Sequence, residues 1–229
     1  MFIVEGNIGA GKSTFLRLVG QQLPQLTIDL EPVDRWQQEL FGRSLLSNFY
    51  HEPKRWAYTM ESFTLMVRMA DNIRRSTSLK AQQLRHAPTG LLVERSIYSG
   101  RYCFAQNSHA SGFMSDLEWE LYVRMFDFLT SARHNPLYQP PHGFIYLRTS
   151  PAVSAARTQR RNRSGEAAIP LSYLTDLAQR HDQFLIAKAN LPANLQAVPV
   201  LVLDADCDFE TDAGALQKLI EQLQNFLGF

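Results

Sequence analysis

The first residues read MFIVEGNIGAGKSTFL. In this stretch a glycine-rich turn lies between an apolar segment typical of a strand and the beginning of a helical pattern. Gly6, Gly11, Lys12 and Ser13 fit the spacing G-x-x-x-x-G-K-[ST]. Glycines let the backbone wrap a phosphate closely, so that its N–H groups and the positive end of the following helix face the anion. The lysine of such a loop reaches the β- and γ-phosphates, and the hydroxyl holds Mg²⁺. The predicted nucleotide-binding residues are Gly6, Asn7, Ile8, Gly9, Ala10, Gly11, Lys12, Ser13 and Thr14.

Two further stretches place charged side chains where predicted strands end. Glu31 begins the stretch EPVDRW, and Glu94 and Arg95 begin ERSIYSGRYCFA. Ligands of α/β sheets bind at the carboxyl ends of the strands, so these side chains are candidates for chemistry. Singly, each has a simpler explanation: Glu31 could cap a helix before Pro32, and Arg95 could belong to a structural ion pair.

A third stretch, YLRTSPAVSAARTQRRNRSGEAAIPLSYL, is rich in arginine. Arg157, Arg160 and Arg161 are spaced i, i+3, i+4 and therefore share one helical face, and Arg163 follows them. Their forked donors suit phosphate oxygens. Taken alone, the run is equally typical of a solvated face or of a patch that binds polyanions.

In this order, the motifs resemble those of the deoxynucleoside kinase family, salvage enzymes that phosphorylate deoxycytidine, deoxyguanosine, deoxyadenosine or thymidine. The resemblance extends over GNIGAGKST, EPVDRW, YHEPKRWAYTMESF, ERSIYSGRYCFA, the arginine-rich stretch and VPVLVLDADCDF. It implies an α/β P-loop kinase fold: a five-stranded parallel sheet with helices on both faces, in a single domain over residues 1–229 with a lid at about 157–169. It also implies phosphoryl transfer from ATP, with Mg²⁺, to the 5′-hydroxyl of a deoxynucleoside, by an enzyme that is commonly a homodimer.

The resemblance also implies roles for the catalytic side chains. Glu31 looks like the general base that takes the hydroxyl proton, and Arg95 should orient it. Glu94 should stand near Mg²⁺, directly or through water. Because phosphoryl transfer has a loose transition state, most of the catalysis is positioning and charge neutralisation. The lid arginines that close over the transferring group are matched by Arg157, Arg161 and Arg163, whereas Arg160 has no assigned role.

The binding positions are carried over in the same way. Tyr50 and Glu166 match the pair that holds the sugar 3′-hydroxyl, Trp36 and Phe104 match the walls around the base, and Cys207, Asp208 and Phe209 match a loop at the donor's adenine. The last three could equally form a plain turn after a strand. For Trp56, a place in the core is at least as consistent with the sequence as a place in the pocket.

Two positions depart from the family pattern and bear on the choice of base. Glu61 stands where a glutamine is usual, and Gly100 stands where members that prefer purines or cytidine carry an aspartate. Arg68 lies seven residues after Glu61, on the same helical face about 10 Å along the axis.

An ionised carboxylate only accepts hydrogen bonds, and of the four bases only guanine presents two adjacent donors, N1–H and N2–H₂. Arg68 could donate to guanine O6 and N7. These side chains therefore favour deoxyguanosine as the acceptor. Alternatively, Glu61 pairs with Arg68 in place of the absent aspartate, and Gly100 opens the pocket to several bases.

Two other functions fit part of the pattern. A nucleoside monophosphate kinase such as thymidylate kinase also combines a phosphate loop with an arginine lid, but Glu31 places a carboxylate where that acceptor's phosphate needs cations. A regulatory P-loop protein would bind nucleotide to control a partner, but it would be expected to have lost Glu31, Arg95 or part of the lid. Both fit the residues less well than a deoxynucleoside kinase does.

The candidate residues need a scaffold of strands and helices to bring them together. Apolar strand candidates at 2–5, 27–31, 91–94, 144–147 and 198–204 alternate with helical patterns, of which the clearest cover 60–75, 117–133 and 212–227. This alternation predicts a parallel sheet covered on both sides. The proline-rich stretch 134–142 predicts a surface connection. The helices at 60–75 and 117–133 could supply a dimer interface or serve only the core.

The remaining expectations concern the number of domains, the partners, the cysteines and the compartment. The 229 residues are 45% hydrophobic and 20% charged, which fits one globular domain better than two. A net charge of +1 predicts neither a nucleic-acid nor a membrane partner. Cys103 and Cys207 stand in no metal or redox spacing. The first strand candidate begins at the start of the chain without a leader, so the expected compartment is the cytoplasm.

Overall fold

The computed structural model of the chain describes residues 1–31, 44–83, 90–162 and 169–228, with 78–83 described by their backbone alone. The chain divides into two compact units, Met1–Glu31, Pro88–Arg95 and Pro141–Phe229 in the first and Pro32–Ala87 and Ser96–Pro140 in the second. The expectation of a single domain stays a prediction. Within the described ranges, no helix has the length and apolar character needed to cross a membrane.

The described elements follow one another in an alternating order. They are β1 (Phe2–Gly6), α1 (Lys12–Gln22), β2 (Leu26–Asp29), α2 (Leu45–His51), α3 (Pro53–Gln83), β3 (Gly90–Glu94), α4 (Ile97–Ser99), a π-helical segment (Gly100–Ala105), α5 (Gln106–Ala110), α6 (Asp116–Thr130), β4 (Gly143–Arg148), α7 (Pro151–Arg161), α8 (Leu171–Leu185), α9 (Ala193–Gln196), β5 (Val200–Asp204) and α10 (Ala213–Leu227). All five predicted strands are present, with ends shifted by one or two residues. Glu31 follows β2 instead of ending it.

The first unit is built on one parallel sheet with the strand order β2-β3-β1-β4-β5. Val4 of the central strand β1 pairs in register with Glu94 of β3 on one side and Ile145 of β4 on the other. In a parallel sheet the carboxyl ends of all strands lie at one edge. The segments after β1, β2 and β3 therefore emerge side by side, because these three strands are neighbours.

Helices cover both faces of this sheet, as the sequence predicts. Ile145 and Leu147 of β4 are fully buried in a core cluster that includes α1 and α10. The alternate residues of β4 face α8: Phe144 packs edge-on against Phe184 with ring centroids 5.3 Å apart, and Tyr146 stacks on His181. Alternation of side chains along a strand explains this division.

The local sequence of the C-terminal helix explains where the helix begins, where it ends and which face it buries. The Asp212 side chain caps α10 by accepting hydrogen bonds from the backbone N–H groups of Gly214 and Ala215. Gly228 ends the helix in the left-handed conformation, with φ of 84°. Its buried side chains, Leu216, Leu219, Ile220 and Leu223, recur at spacings of three and four residues. The predicted amphipathic helix is confirmed.

The second unit is helical, with α3 and α6 as its long elements. Ser115 and Glu118 form a capping box at the start of α6. The helix ends at Thr130, three residues before the predicted end, because Ser131 adopts an extended conformation. Tyr138, in the predicted surface connection, is instead buried, and its hydroxyl donates a hydrogen bond to the Tyr98 hydroxyl.

Candidate functional site

The glycine-rich loop after β1 has the backbone conformation that its glycines permit. Gly9 and Gly11 adopt positive φ angles of 75° and 85°. A Cβ at Gly9 would lie 2.3 Å from the carbonyl oxygen of Ser154, and one at Gly11 would lie 2.7 Å from the Phe209 ring. The loop therefore passes so close to α7 and to the segment after β5 that no other residue type fits at these two positions.

Backbone carbonyl groups of the loop hold the side chain of Lys12 in place. Lys12 Nζ donates hydrogen bonds to the carbonyl oxygens of Gly6, at 3.1 Å, and Asn7, at 2.7 Å. Burial lowers the pKa of the Lys12 ammonium to about 7, and the nearby Arg95 contributes to the lowering. The carboxylates of Glu94, Glu31 and Glu5 oppose this shift. A buried lysine with this pKa gains from a bound anion, because the anion stabilises its charged form.

Glu94, at the end of β3, joins the loop to the segment after β2. Its Oε1 accepts a hydrogen bond from the hydroxyl of Ser13 at 2.8 Å, and its Oε2 accepts one from the backbone N–H of Glu31 at 3.2 Å. A hydroxyl and a carboxylate in contact are hard oxygen donors of the kind that Mg²⁺ prefers. Among the described residues, no group of three or more His, Cys, Asp or Glu side chains is arranged to hold a metal ion. A magnesium ion usually keeps several waters and binds one or two carboxylates plus substrate phosphates, which fits this pair.

Glu31 and Arg95 form a buried ion pair at the same edge. Arg95 Nε donates to Glu31 Oε2 at 3.2 Å, and the two side chains are 6% and 9% exposed. Arg95 has a φ of 64°, a left-handed conformation that is uncommon for residues other than glycine, and its N–H donates to the carbonyl oxygen of Val4. The backbone thus turns sharply after β3, and the guanidinium fixes the carboxylate beside Glu94.

A pocket of about 600 Å³ opens between the glycine-rich loop, α7 and the segment after β5. Its lining includes Gly9, Gly11, Lys12, Ser13, Thr14, Arg17, Glu94, Arg157, Arg160, Arg161, Asp206, Asp208, Phe209 and Glu210. The pocket thus joins most of the predicted loop residues with Arg157, Arg161, Asp208 and Phe209. Its volume is in the range of small-molecule sites, about 300–1,000 Å³.

The two predicted lid arginines that the structure describes differ in their surroundings. Arg161 is exposed at the end of α7, like Arg160. Arg157 is half-buried, and its guanidinium donates to the backbone carbonyl oxygens of Ala205 and Cys207 at 2.7 and 2.8 Å. The closing role that the resemblance implies for these side chains stays a prediction.

In the second unit, two of the residues predicted to influence the choice of base, Gly100 and Arg68, lie side by side. A Cβ at this position would be 3.2 Å from Arg68 Nη1 and 3.6 Å from the Tyr122 hydroxyl. Glu61 is 5% exposed, and burial raises the pKa of Tyr122, with the Glu61 carboxylate raising it further and Arg68 opposing. The guanidinium of Arg68 thus adjoins the space that an aspartate side chain at residue 100 would occupy.

The structure describes only some of the other residues considered for the nucleoside-binding site. Tyr50 of α2 is half-buried against Phe49, and Phe104 is half-buried in the π-helical segment. Trp56 is half-buried on α3 beneath the guanidinium of Arg55, 4.6 Å from its ring. Trp36, Arg163 and Glu166 lie outside the described residues.

Two buried residues near the site are not among the predicted ones. Glu5 is 0% exposed on β1 and acts electrostatically on Lys12. His181 of α8 is also fully buried, and its Nδ1–H donates to the Leu177 carbonyl oxygen at 2.7 Å. Burial lowers the pKa of His181 to about 3, with Arg95 and Lys12 contributing, so its ring is neutral. A charged residue inside the apolar segment FIVEG is a signal that could have identified Glu5, whereas the periodicity around His181 predicts only a core position.

Comparison with known proteins agrees with this geometry. The deoxynucleoside kinase family profile matches residues 2–228. The chain is 32% identical to deoxycytidine kinase 2 of Gallus gallus and 34% identical to deoxycytidine kinase of Mus musculus, over 98% of this chain and 89% of each relative. It is 32% identical to the mitochondrial deoxyguanosine kinase of Xenopus laevis, over 98% of this chain and 88% of that protein.

The chain therefore belongs to the deoxynucleoside kinase family. The P-loop kinase fold and the enzyme class that the motifs predict are both confirmed. ATP as the phosphate donor follows from the family. The alternatives of a nucleoside monophosphate kinase and of a regulatory nucleotide-binding protein lose their support.

Nucleotide binding should be coupled to protonation of Lys12. With its pKa lowered to about 7, this side chain is largely neutral at pH 8.5, and bound phosphates raise its pKa again. We expect ADP binding at pH 8.5 to take up about one proton, and the affinity to fall as pH rises above 7. Calorimetric titration in buffers of different ionisation enthalpy measures the uptake.

The matched control is Lys12→Arg, whose guanidinium stays protonated throughout and should show no uptake from this position. Equal binding enthalpies of the unsubstituted protein in all buffers would contradict the assignment.

Proposed function

We propose that this member of the deoxynucleoside kinase family transfers the γ-phosphoryl group of ATP to the 5′-hydroxyl of a deoxynucleoside with Glu31 as the general base. The observation that carries the proposal is a continuous set of contacts in the first unit. Arg95 holds the Glu31 carboxylate at 3.2 Å, the Glu31 N–H donates to Glu94, and Glu94 accepts from Ser13 of the phosphate loop. The base and the triphosphate site are thus linked through one shared carboxylate.

The pair of Ser13 and Glu94 fits a magnesium ion. Their oxygen atoms are in contact at 2.8 Å, and Glu94 lines the pocket together with Lys12. When bound, Mg²⁺ neutralises charge on the phosphates and orients them. Lys12 supplies an ammonium from the loop itself, and Arg161 and Arg163 would add cations from the lid side. These are the parts that positioning and charge neutralisation require in phosphoryl transfer.

Arg95 gives Glu31 its orientation. A carboxylate acts as a base only if one oxygen faces the hydroxyl, and the guanidinium occupies Oε2. Such a buried pair also keeps Glu31 from turning away, because a lone buried charge is costly. The other carboxylate oxygen is the candidate for accepting the 5′-hydroxyl proton.

Removing the base should slow the chemical step. We expect Glu31→Gln to lower kcat by about 10²–10⁴-fold, with little change in ATP affinity. The measurement is ADP formation that depends on an added deoxynucleoside, with ATP and Mg²⁺ present.

The matched control for this substitution is Glu221→Gln, an exposed carboxylate of α10, which should leave kcat unchanged. Unchanged kcat in Glu31→Gln, or ADP formation that needs no deoxynucleoside, would count against the proposed reaction.

Guanine is the base that the side chains around Gly100 fit best. Glu61 is 5% exposed, and it offers only acceptors when ionised. Arg68 supplies donors suited to guanine O6 and N7. The relatives include kinases named for deoxycytidine and for deoxyguanosine, so their names do not select a base. The rival arrangement, an ion pair between Glu61 and Arg68 in a broadly accepting pocket, is consistent with the action of both side chains on Tyr122.

Comparison of kcat/KM for the four deoxynucleosides separates these arrangements. We expect deoxyguanosine to rank first, and Glu61→Gln to reduce its lead over deoxyadenosine by about tenfold or more, since one buried hydrogen bond is worth about 1–3 kcal/mol. Values within about threefold for all four would favour the broad pocket, and a pyrimidine in first place would rule out the guanine preference. Glu221→Gln, at an exposed carboxylate of α10, is again the control.

The exposed face of α6 supports a homodimer. Leu117, Leu121 and Phe128 are 69%, 46% and 57% exposed and lie on one side of the helix. Exposed apolar side chains that share one face of a helix favour burial against a partner. A second copy of the chain presents the same stripe, so that the contact can be self-complementary.

Light scattering should give twice the 26.1 kDa mass of one chain. Leu121→Asp should shift the mass toward that of the monomer, because it would place a charge in the proposed interface between the two copies. Leu171→Asp, at an exposed leucine of α8, should leave the mass unchanged. A monomeric unsubstituted protein at micromolar concentration would refute the dimer.

The remaining expectations concern partners and compartment. A net charge of +1 gives no reason to propose a nucleic-acid or membrane partner. The cytoplasm stays our proposal for the compartment, although the Xenopus laevis relative is named as mitochondrial.

A further inference from the structure

The guanidinium of Arg157 bridges two segments that both line the nucleotide pocket. Its Nη1 donates to the carbonyl oxygen of Ala205 at 2.7 Å and, at 3.5 Å, to that of Ala10 in the phosphate loop. Its Nη2 donates to the carbonyl oxygen of Cys207 at 2.8 Å. Three of the five N–H directions of the side chain are therefore directed at backbone oxygens.

The segment that Arg157 holds, residues 205–209, forms one wall of the pocket. Phe209 is 3% exposed, and its ring packs edge-on against Phe15 of α1 with centroids 6.0 Å apart. Arg157 Cζ lies 5.3 Å from the centre of the same ring. The Phe209 ring also fills the space beside Gly11. Arg157 and Phe209 together hold this wall against the phosphate loop.

The two ends of this wall segment are fixed in different ways. Ala205 N–H donates to the Arg148 carbonyl oxygen at 2.9 Å, and the Asp206 side chain accepts from the Ser150 N–H at 2.6 Å. These contacts attach the beginning of the segment to the end of β4. At Cys207 the backbone carbonyl instead depends on Arg157. Removal of the guanidinium should therefore loosen the wall from Cys207 onward.

We propose that Arg157 is a positioning residue that acts through residues 205–209, fixing the donor side of the pocket against the phosphate loop, and that it does not close over the transferring phosphoryl group. The inference rests on the proposed function only in that the pocket holds ATP. The Arg157 fork donates from two separate nitrogens, Nη1 and Nη2, to the carbonyls of different residues, whereas a lysine ammonium would have to reach both from a single nitrogen. The role differs from that proposed for Arg161 and Arg163, which follow Arg157 in the sequence.

The test compares Arg157→Lys with Arg148→Lys. The Arg148 guanidinium also donates two hydrogen bonds, from Nε to Asp182 Oδ1 at 3.1 Å and from Nη2 to Asp182 Oδ2 at 2.8 Å. It belongs to the same unit but does not line the pocket. Three measurements are made on both variants. They are backbone hydrogen exchange of residues 205–211 in the ligand-free protein, the Kd for ADP, and steady-state kinetics with varied ATP and varied deoxynucleoside.

For Arg157→Lys we expect faster exchange over residues 205–211 and an increase of about tenfold in the Kd for ADP and the KM for ATP. The kcat at saturating ATP and the KM for the deoxynucleoside should stay within about threefold. Arg148→Lys should change none of these. Arg157→Gln, which keeps a short donor, should resemble Arg157→Lys and provides a second variant.

The opposite pattern would overturn the inference: unchanged exchange and ADP affinity with kcat reduced by about tenfold or more, as expected for a side chain that acts only on the reacting group. Unchanged values of all three quantities would overturn it as well. If the unsubstituted protein turned over no deoxynucleoside, the proposed function would fail, but hydrogen exchange and ADP binding would still decide the role of Arg157.

Discussion

Lys12 and Arg95 are two basic side chains buried among the carboxylates of Glu5, Glu31 and Glu94 at the carboxyl edge of the sheet. Buried charges are costly unless opposite charges and hydrogen bonds compensate them, and loss of one partner leaves another uncompensated. The described contacts meet this requirement in series, from Arg95 to Glu31, from the Glu31 backbone to Glu94, and from Glu94 to Ser13. This mutual compensation allows a lysine, an arginine and several carboxylates to be buried close together.

The strand order makes this arrangement possible. Because β1 lies beside β3 and β3 lies beside β2, the loops that follow these three strands are neighbours. The left-handed turn at Arg95 then redirects the chain after β3, so that its guanidinium meets Glu31. Backbone strain at a residue other than glycine is tolerated where surrounding contacts determine it, and it recurs at functional sites.

The nucleotide pocket shows a second constraint, the close approach of separate segments. Gly9 meets the carbonyl of Ser154 on α7, and Gly11 meets the ring of Phe209 after β5. Two walls of the pocket are therefore in direct contact with the glycine-rich loop. The contacts of Arg157 follow from the same geometry, since a half-buried guanidinium in such a junction finds carbonyl oxygens on both sides.

The sequence by itself determined the elements and the chemistry they can carry. The five strands, the helix at 213–227 and the phosphate loop follow from short-range patterns, because hydrophobic periodicity and glycine spacing are local properties. The motifs also led to the family, and hence to Glu31, Glu94 and Arg95 as neighbours. Helix ends were predicted less well, as at Thr130, because a single extended residue, Ser131, ends the helix and hydrophobic periodicity does not mark that residue.

Only the tertiary structure decided which partners the charged side chains find. Arg157, Arg160 and Arg161 share one helical face in the sequence, yet the carbonyls of Ala205 and Cys207 reach only the first. Residues distant in the chain likewise bury Glu5 and His181. The position of Arg68 beside Gly100 also joins residues that are far apart in the sequence. The physical reason is that desolvation and hydrogen bonding act between atoms that folding brings together, and no local pattern of residue types records those distances.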